Sequence, residues 1–223
     1  MKSTPIHDNY NADLLANIPA DASRVVEVGC SSGALARAYL SINPSCEYIG
    51  IEGDAGYAEV AREVCTDVVS ANIETLDDAS YAKLFPAECW VFGDVLEHLY
   101  DPWAVLRRLS TKMRKTDCVI ACIPNAQHWS VQARLNQGIF FYEDAGLMDR
   151  THIRWFTRTT IIDLFESTGF DITAGGPRVF EEPARETALV GIRAMAEAIG
   201  IDPEIAATDA SALQWIVRAV PKT

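Results

Sequence analysis

The sequence predicts an α/β fold built on a doubly wound, mainly parallel sheet, and three observations predict it. Short apolar, β-branched runs alternate with helix-patterned segments through five successive units, as strands joined by crossover helices do. Each of those five strands ends in a polar residue, namely Glu27, Glu52, Asn72, Asp94 and Asn125. In open parallel sheets, ligands bind beyond the carboxyl ends of the strands. The first strand also runs directly into a glycine-containing loop, Gly29-Cys30-Ser31-Ser32-Gly33, and then a helix. A helix N-terminus in that position leaves unpaired N–H groups facing whatever binds there.

Taken in order, the chain opens with a polar lead and a short amphipathic helix over Asn11 to Ile18, closed by Pro19. Val25 to Val28 is the first strand, and Ala34 to Leu40 is its helix. Cys46 to Glu52 is the second strand, followed by Gly53-Asp54 and a helix over Tyr57 to Val64. Asp67 to Asn72 reads as the third strand, and Glu88 to Asp94 as the fourth. Asp101-Pro102 is a helix start, with the acid as N-cap and proline at the first helical position. Val105, Leu106, Leu109 and Met113 carry that helix's apolar face, and Cys118 to Pro124 is the fifth strand. Residues 126–157 break the rhythm with a segment rich in aromatics, histidine and arginine. A connection this long in a compact domain is usually functional, and the expectation is a cap over the site that supplies an acceptor pocket. Thr157 then starts a helix through Ile161, Ile162, Leu164 and Phe165 that ends at Gly169. Phe170 to Thr173 is a sixth strand, with Gly175-Gly176-Pro177 as a turn or bulge. A helix over Glu186 to Ile199 and a last strand over Ala212 to Val220 complete a single domain spanning 1–223.

Composition excludes several classes. There are 19 Lys and Arg against 31 Asp and Glu, a net charge of -12, so no nucleic-acid partner is expected. No apolar run approaches the roughly 20 residues of a membrane helix, and Met1 to Tyr10 lacks an apolar signal core. No membrane association is expected, and a cytoplasmic location is. Six cysteines lie scattered without a C-x-x-C pair, which reads as free, buried thiols in a reducing compartment.

The loop after the first strand fails the dinucleotide fingerprint, which needs glycine at positions 29, 31 and 34; the chain has Gly29, Ser31 and Ala34. Glu27 would repel a pyrophosphate and suits a cationic ligand such as S-adenosylmethionine. The stretch resembles motif I of the class I S-adenosylmethionine-dependent methyltransferases, acid-x-Gly-x-Gly-x-Gly, with Glu27, Gly29 and Gly33 matching and Ser31 in place of the middle glycine. Asp94-Val-Leu-Glu97-His98-Leu-x-Asp101-Pro102 is similar to that family's motif IV. The resemblance implies a seven-stranded Rossmann-like sheet whose last strand lies antiparallel between the fifth and sixth. It implies S-adenosylmethionine as cofactor and S-adenosylhomocysteine as product. It places Tyr10, Glu27, Gly29, Cys30, Gly33, Glu52, Gly53, Asn72, Ile73, Asp94 and Val95 around the cofactor. Tyr10 would reach the methionine end or simply pack. Glu52, with two acceptor oxygens, suits the paired ribose hydroxyls, and Asn72 stands where the family commonly has an aspartate for the adenine amino group.

Pro124-Asn125-x-x-His128-Trp129 and the run from Gly146 to Thr157 resemble small-molecule methyltransferases associated with sugar and polysaccharide assembly. The expected acceptor is therefore a small polar molecule, with Asn125, Trp129, Tyr142, Arg150 and Arg154 in its pocket. Arg150 and Arg154 would grip a carboxylate or phosphate, or else pair with Asp149, Glu143 or Asp144. Methylating a neutral hydroxyl requires a base, and histidine suits neutral pH. His152 is the first candidate and His128 the second, each with a packing role as the alternative; His7 is expected to be irrelevant. Asp94-x-x-Glu97-His98, with His152 as a distant fourth ligand, is similar to a divalent-metal constellation in ubiquinone-biosynthesis and small-RNA methyltransferases. Glu-His after the fourth strand also occurs in metal-free relatives, so no metal is the expectation. The predicted function is an O-methyltransferase of a small polar acceptor such as a sugar. N- or C-methylation of a metabolite, or a non-catalytic cofactor-binding module, are the alternatives.

Overall fold

The computed structural model of the chain describes residues 9–222, and His7 lies outside them. Seven strands form one sheet: β1 Arg24–Val28, β2 Glu47–Glu52, β3 Asp67–Ser70, β4 Cys89–Gly93, β5 Cys118–Pro124, β6 Phe170–Arg178 and β7 Gln214–Pro221. Their order is β3-β2-β1-β4-β5-β7-β6. The pairs from β3 to β5 are parallel, and β7 runs antiparallel to both β5 and β6. The fold is therefore the doubly wound, Rossmann-like sheet with an antiparallel last strand.

Period-two alternation assigns each strand residue to one of two cores. Val26, Trp90, Phe92, Val119 and Ala121 face one side, where α4 (Asp78–Ala82), α5 (Pro102–Ser110) and α7 (Arg158–Ser167) pack. Val25, Tyr48, Val91, Ile120 and Cys122 face the other, under α1 (Ala12–Asn17), α2 (Ala34–Ile42) and α3 (Ala55–Ala61). All six cysteines are buried free thiols, and all six lie on or beside strands of this second layer. The short α4 escaped the sequence reading because it has too few residues to show a period. Among the described residues, no helix is long and apolar enough to cross a membrane.

Caps set the helix starts. Asp101 Oδ1 accepts from the Ala104 amide at 2.8 Å, with Pro102 behind it at the first helical position. Thr157 and Thr160 form a reciprocal capping box for α7. The segment after β5 contains α6 (Trp129–Asn136) and a loop that returns to the sheet. There the Ala126 amide donates to the Phe156 carbonyl at 2.7 Å, and the Ile153 and Arg154 amides both donate to the Glu97 carbonyl at 3.0 Å. A second insertion between β6 and β7 comprises α8 (Arg185–Ala198) and α9 (Pro203–Ser211). Their apolar faces form a third cluster against which Trp129 packs. Only the first of these two helices was expected; α9, with Asp202 as N-cap and Pro203 after it, has the same start signature as α5.

β6 is longer than the sequence reading allows, because Gly175-Gly176-Pro177 continues the ladder after a register shift between Ile172 and Ala174. Gly175 sits at φ 141°, and a Cβ there would run into the Ile216 carbonyl. Neither the backbone angle nor the space admits a side chain. Gly175→Ala should lower stability by about 1–3 kcal/mol, measured by urea denaturation. An unchanged midpoint would show that β6 and β7 are not seated as described.

Candidate active site

The carboxyl ends of β1 to β4 enclose a cleft of about 350 Å³, lined by Gly29, Ile51, Gly53, Asn72, Ile73, Asp94, Val95, His98, Tyr100 and neighbours. It lies where the connections from β1 and β4 leave toward opposite layers, the position at which such sheets bind ligands. Gly29 holds φ 71°, and a Cβ on it would stand 2.6 Å from the Val95 Cγ2 atom. Glycine is therefore required where the loop passes the start of motif IV. Ser31 adopts φ 48° without being glycine, and its amide donates to Glu52 Oε2 at 2.8 Å. Glu52 Oε1 accepts from the Asp54 amide, also at 2.8 Å. The carboxylate is thus clamped at the cleft edge with lone pairs to spare. Asn72 turns its Oδ1 to the Glu74 amide at 2.8 Å. Glu74 in turn holds the Tyr100 and Asp101 amides at 3.2 and 2.8 Å, fixing the rim.

Glu27 lies beneath this cleft, buried, and accepts from the Tyr48 hydroxyl at 3.0 Å. Burial pushes its carboxyl up to about 8, against the pull of the Tyr48 hydrogen bond, with the Glu52 charge adding to the rise.

A second cavity of about 410 Å³ adjoins the first. It is lined by Asp94, His98, Pro124, Gly146, Leu147, Asp149, His152, Arg178, Phe180, Leu213 and Gln214. Asp94 and His98 line both spaces and form the wall between them. Asp94 also holds a positive φ of 54°, so a second strained non-glycine residue stands at the site. Burial raises its carboxyl to about 6 despite the nearby Arg178 charge, and it accepts from the Gln214 amide nitrogen. Arg178 reaches in from the end of β6, donating to Asp13 Oδ2 at 2.7 Å and to the Gln214 side-chain oxygen.

At and behind the shared wall sit three groups, the sequence neighbours Glu97 and His98 and the distant His152. Glu97 is 1 % exposed, and neither carboxylate oxygen has a hydrogen-bond partner. Burial holds its carboxyl well above the ordinary range, and the Asp94 charge adds to that. His98 Nε2 and His152 Nε2 each lie 3.9 Å from Glu97 Oε1, too far for a hydrogen bond. His98 Nδ1 lies 3.1 Å from the Thr151 carbonyl, and His152 Nδ1 lies 3.1 Å from the Leu147 carbonyl. A carbonyl only accepts, so each Nδ1 carries a proton, and in a neutral imidazole of that tautomer Nε2 is the acceptor. Burial, then the neighbouring His98, pushes the His152 imidazole below its ordinary value, which keeps it neutral at pH 7.

The other expected site residues fall in several places. Gly29, Gly53, Asn72, Ile73, Asp94 and Val95 line the first cleft, and Glu52 stands at its edge. Tyr10 does not; it lines a separate groove with Leu15, Ala34 and Arg37 on the outer side of α2. Cys30 points under the loop against Gly50 and Cys65, so only its backbone faces a ligand. Gly33 is the N-cap of α2 at φ 80° and packs against Ala61 and Val64. His128 is 1 % exposed and caps α6, with Nδ1 2.8 Å from the Ser130 hydroxyl and Nε2 3.4 Å from Glu182. It lies outside both cavities. Trp129 donates to Glu182 at 2.8 Å and packs toward α8. Asn125 is fully buried and donates to the Asp209 and Ala212 carbonyls at 2.7 Å, a structural tie between β5 and α9. Tyr142 is exposed and stacks edge-on with Phe140. Arg150 pairs with Asp144 at 2.6 Å on an exposed loop. Arg154 donates to the Tyr100 carbonyl at 3.0 Å, bracing the rim of the first cleft.

The residues that replace them as second-cavity lining were missed. Arg178 follows a Gly-Gly-Pro run that looked like a turn, and Gln214 opens a strand whose neighbour no local pattern reveals. Pairing the last strand beside the fifth, as the resemblance implied, was the available signal for Leu213 and Gln214.

A family model described as a methyltransferase domain matches residues 6–174. A search of curated proteins finds no match. Among solved structures, an S-adenosylmethionine-dependent methyltransferase of Thermotoga maritima, described as a possible histamine N-methyltransferase, superposes with a TM-score of 0.60 at 16% identity, covering 95% of this chain and 86% of its own. The magnesium protoporphyrin IX methyltransferase of Synechocystis, with bound S-adenosylhomocysteine, gives 0.60 at 13% identity over 95% and 80%. An O-methyltransferase from neocarzinostatin biosynthesis, with S-adenosylmethionine and a naphthoic acid bound, gives 0.56 at 16% identity over 94% and 52%. At these identities the likeness is one of fold.

Glu27 makes the stability of this site depend on pH. The folded chain keeps its proton up to about pH 8, whereas the unfolded chain loses it near 4.5. The folded state therefore binds more protons across that window, so stability falls as pH rises through it, by at most about 1.4 kcal/mol per unit. Glu27→Gln keeps an acceptor for Tyr48 and should flatten the slope in urea titrations between pH 5 and 8. An identical slope in both proteins would exclude a protonated Glu27.

Proposed function

The chain belongs to the class I S-adenosylmethionine-dependent methyltransferases, and from that premise we propose that it methylates a hydroxyl of a small polar acceptor at the wall shared by the two cavities. The observation that carries this reading is that Asp94 and His98 line both spaces, with His152 opening into the second.

The first cleft fits the cofactor chemically. Glu52 would accept from the ribose hydroxyls, Asn72 and Ile73 would hold the adenine, and Gly29 leaves room for backbone approach where a side chain would collide with Val95. The acids Glu27 and Asp94 are the counter-charges for a cation, and its arrival favours their ionised forms. When bound, S-adenosylmethionine supplies an electrophilic methyl group on a sulfonium. The second cavity mixes Phe180, Leu213, Leu147 and Pro124 with Arg178, Gln214 and Asp149. Apolar surface for a ring face beside several hydrogen-bonding groups suits a sugar or another hydroxylated ring. Such a hydroxyl must lose its proton, and the cluster of Glu97, His98 and His152 is where the chain takes it up. Nδ1 is already committed on each ring, so the accepting atom is Nε2. Positioning the two reactants across one wall supplies much of the remaining rate. The acidic chain and buried free thiols fit a cytoplasmic enzyme with no nucleic-acid or membrane partner.

Two variants test this. Glu52→Ala should weaken S-adenosylhomocysteine binding by about 2–4 kcal/mol, two charge-assisted hydrogen bonds at roughly 1.5–3 each before water compensates, read by calorimetry. Unchanged affinity would remove Glu52 from the ribose site. His152→Gln should bind S-adenosylhomocysteine normally but turn over hydroxylated acceptors ~10²–10⁴-fold more slowly. Near-normal turnover would take the proton-accepting role away from the cluster.

A further inference from the structure

The helix α8 is apolar on two sides. Leu189, Ile192 and Ala196 form its buried face, packed with Ala206, Ala207 and Ala210 of α9. On the side turned away from that core, Val190, Gly191, Ala194, Met195, Ala198 and the C-cap Ile199 recur at helical spacing, and all six are exposed. Glu186, Arg193 and Glu197 are confined to a third strip, where Arg193 donates to Glu204 of α9 at 2.9 Å. The solvent face of a surface helix is ordinarily where its charges lie, and a helix apolar on all but a narrow strip is ordinarily covered on both sides.

Beside this stripe lies a groove between α6 and α8, about 410 Å³ in volume. Trp129, Ala133 and Asn136 stand on its α6 wall, and Ala188, Gly191 and Met195 on its α8 wall; none of the residues lining it is charged. A Cβ added to Gly191 would meet no atom within 4 Å, so the space over the middle of the helix is open. Val190 and Ile199 are 67 and 69 % exposed and do not line the groove. One face therefore presents both projecting apolar side chains and a recess of a size to receive them.

We propose that this face joins two copies of the chain in a two-fold dimer, with the α8 helices crossing near Ala194 and the Val190 and Ile199 side chains of each copy seated in the α6–α8 groove of the other. A two-fold contact needs a patch complementary to itself, and projections and groove on one face supply that. Gly191, Ala194 and Ala198 lie at the crossing, where small side chains let two helices approach closely. Charge selects the occupant. The chain carries a net charge of -12, so two copies repel wherever acidic surface meets acidic surface. The stripe and the groove are free of charge, as the core of an interface is, and two copies meet there without that repulsion. A basic partner, which the acidic surface elsewhere attracts, finds no carboxylate on this stripe to pair with. The dimer goes beyond the methylation reading and does not depend on it.

Sedimentation velocity on the full-length chain, over a wide range of concentration, should give a species of two chain masses that dissociates to one on dilution and grows no larger. Added salt should tighten the dimer, because it screens the repulsion between acidic chains and leaves apolar contact intact. Val190→Glu and Ala194→Glu should each raise the dissociation constant by about 100-fold or more, since the two-fold buries unpaired carboxylates in pairs. Both positions are exposed in the single chain and glutamate is a good helix former, so circular dichroism should show both variants folded as wild type is. Ile42→Glu, at another exposed apolar position on α2, should dimerise as wild type does. A chain that stays monomeric at every concentration, an assembly larger than two, or a dimer that survives both α8 variants would overturn the proposal. So would a dimer weakened as much by Ile42→Glu as by the α8 variants.

Discussion

The site depends on one constraint, the adjacency of β1 and β4 at the point where their connections diverge. β1 feeds the loop that leads to α2 in one layer, and β4 feeds the turn that leads to α5 in the other. The two strands pair from Val25–Cys89 to Val28–Phe92 and then part, so a crevice opens above them. Gly29 directly follows that pairing and Val95 comes three residues after Phe92, and the two pass so closely that no side chain fits at position 29. That narrow passage brings the Glu52-clamped loop against the Asp94–His98 turn. Both cavities are consequences of it. One fills the crevice, and the other lies on the far side of the turn, closed by β7, the end of β6 and the returning loop.

Acids dominate the electrostatics around the crossing. Glu27 and Glu97 are buried and Asp94 is half-buried, and all three have carboxyl groups raised by desolvation. Each costs folding free energy when charged, and a hydrophobic residue of similar size would be cheaper to bury. Their cost has a common logic if the site binds positive charge, such as a sulfonium and an ammonium beside Glu27 and Asp94. Strain is concentrated in the same place. Ser31 and Asp94, the two non-glycine residues at positive φ among those described, are at the ends of the same two crossing strands.

Much of this was legible in the sequence because it is local. Strand-to-helix alternation, the Asp101-Pro102 and Thr157 starts, and the polar residue closing each strand are written in neighbouring positions. The residues around the first cleft could be named for that reason, since Gly29, Glu52, Asn72 and Asp94 come from the ends of strands in one parallel sheet. None of the residues expected around an acceptor, Asn125, Trp129, Tyr142, Arg150 and Arg154, is among those lining the second cavity. Asn125, Trp129 and His128 look reactive in sequence but are spent on tying α6, α8 and α9 to the sheet. Arg178 and Gln214 look like ordinary strand residues, and only the insertion of β7 beside β5 carries them to the site. His152 was singled out for its type and as a distant companion of Glu97 and His98, and the loop that returns to the Glu97 carbonyl is what brings it there.

The most direct test of the account is a crystal structure of the chain with S-adenosylhomocysteine bound. The account predicts the ribose on Glu52, the adenine between Asn72 and Ile73, and the sulfur turned to the wall formed by Asp94 and His98, facing the second cavity. A product bound elsewhere, or one whose sulfur points away from that wall, would contradict it.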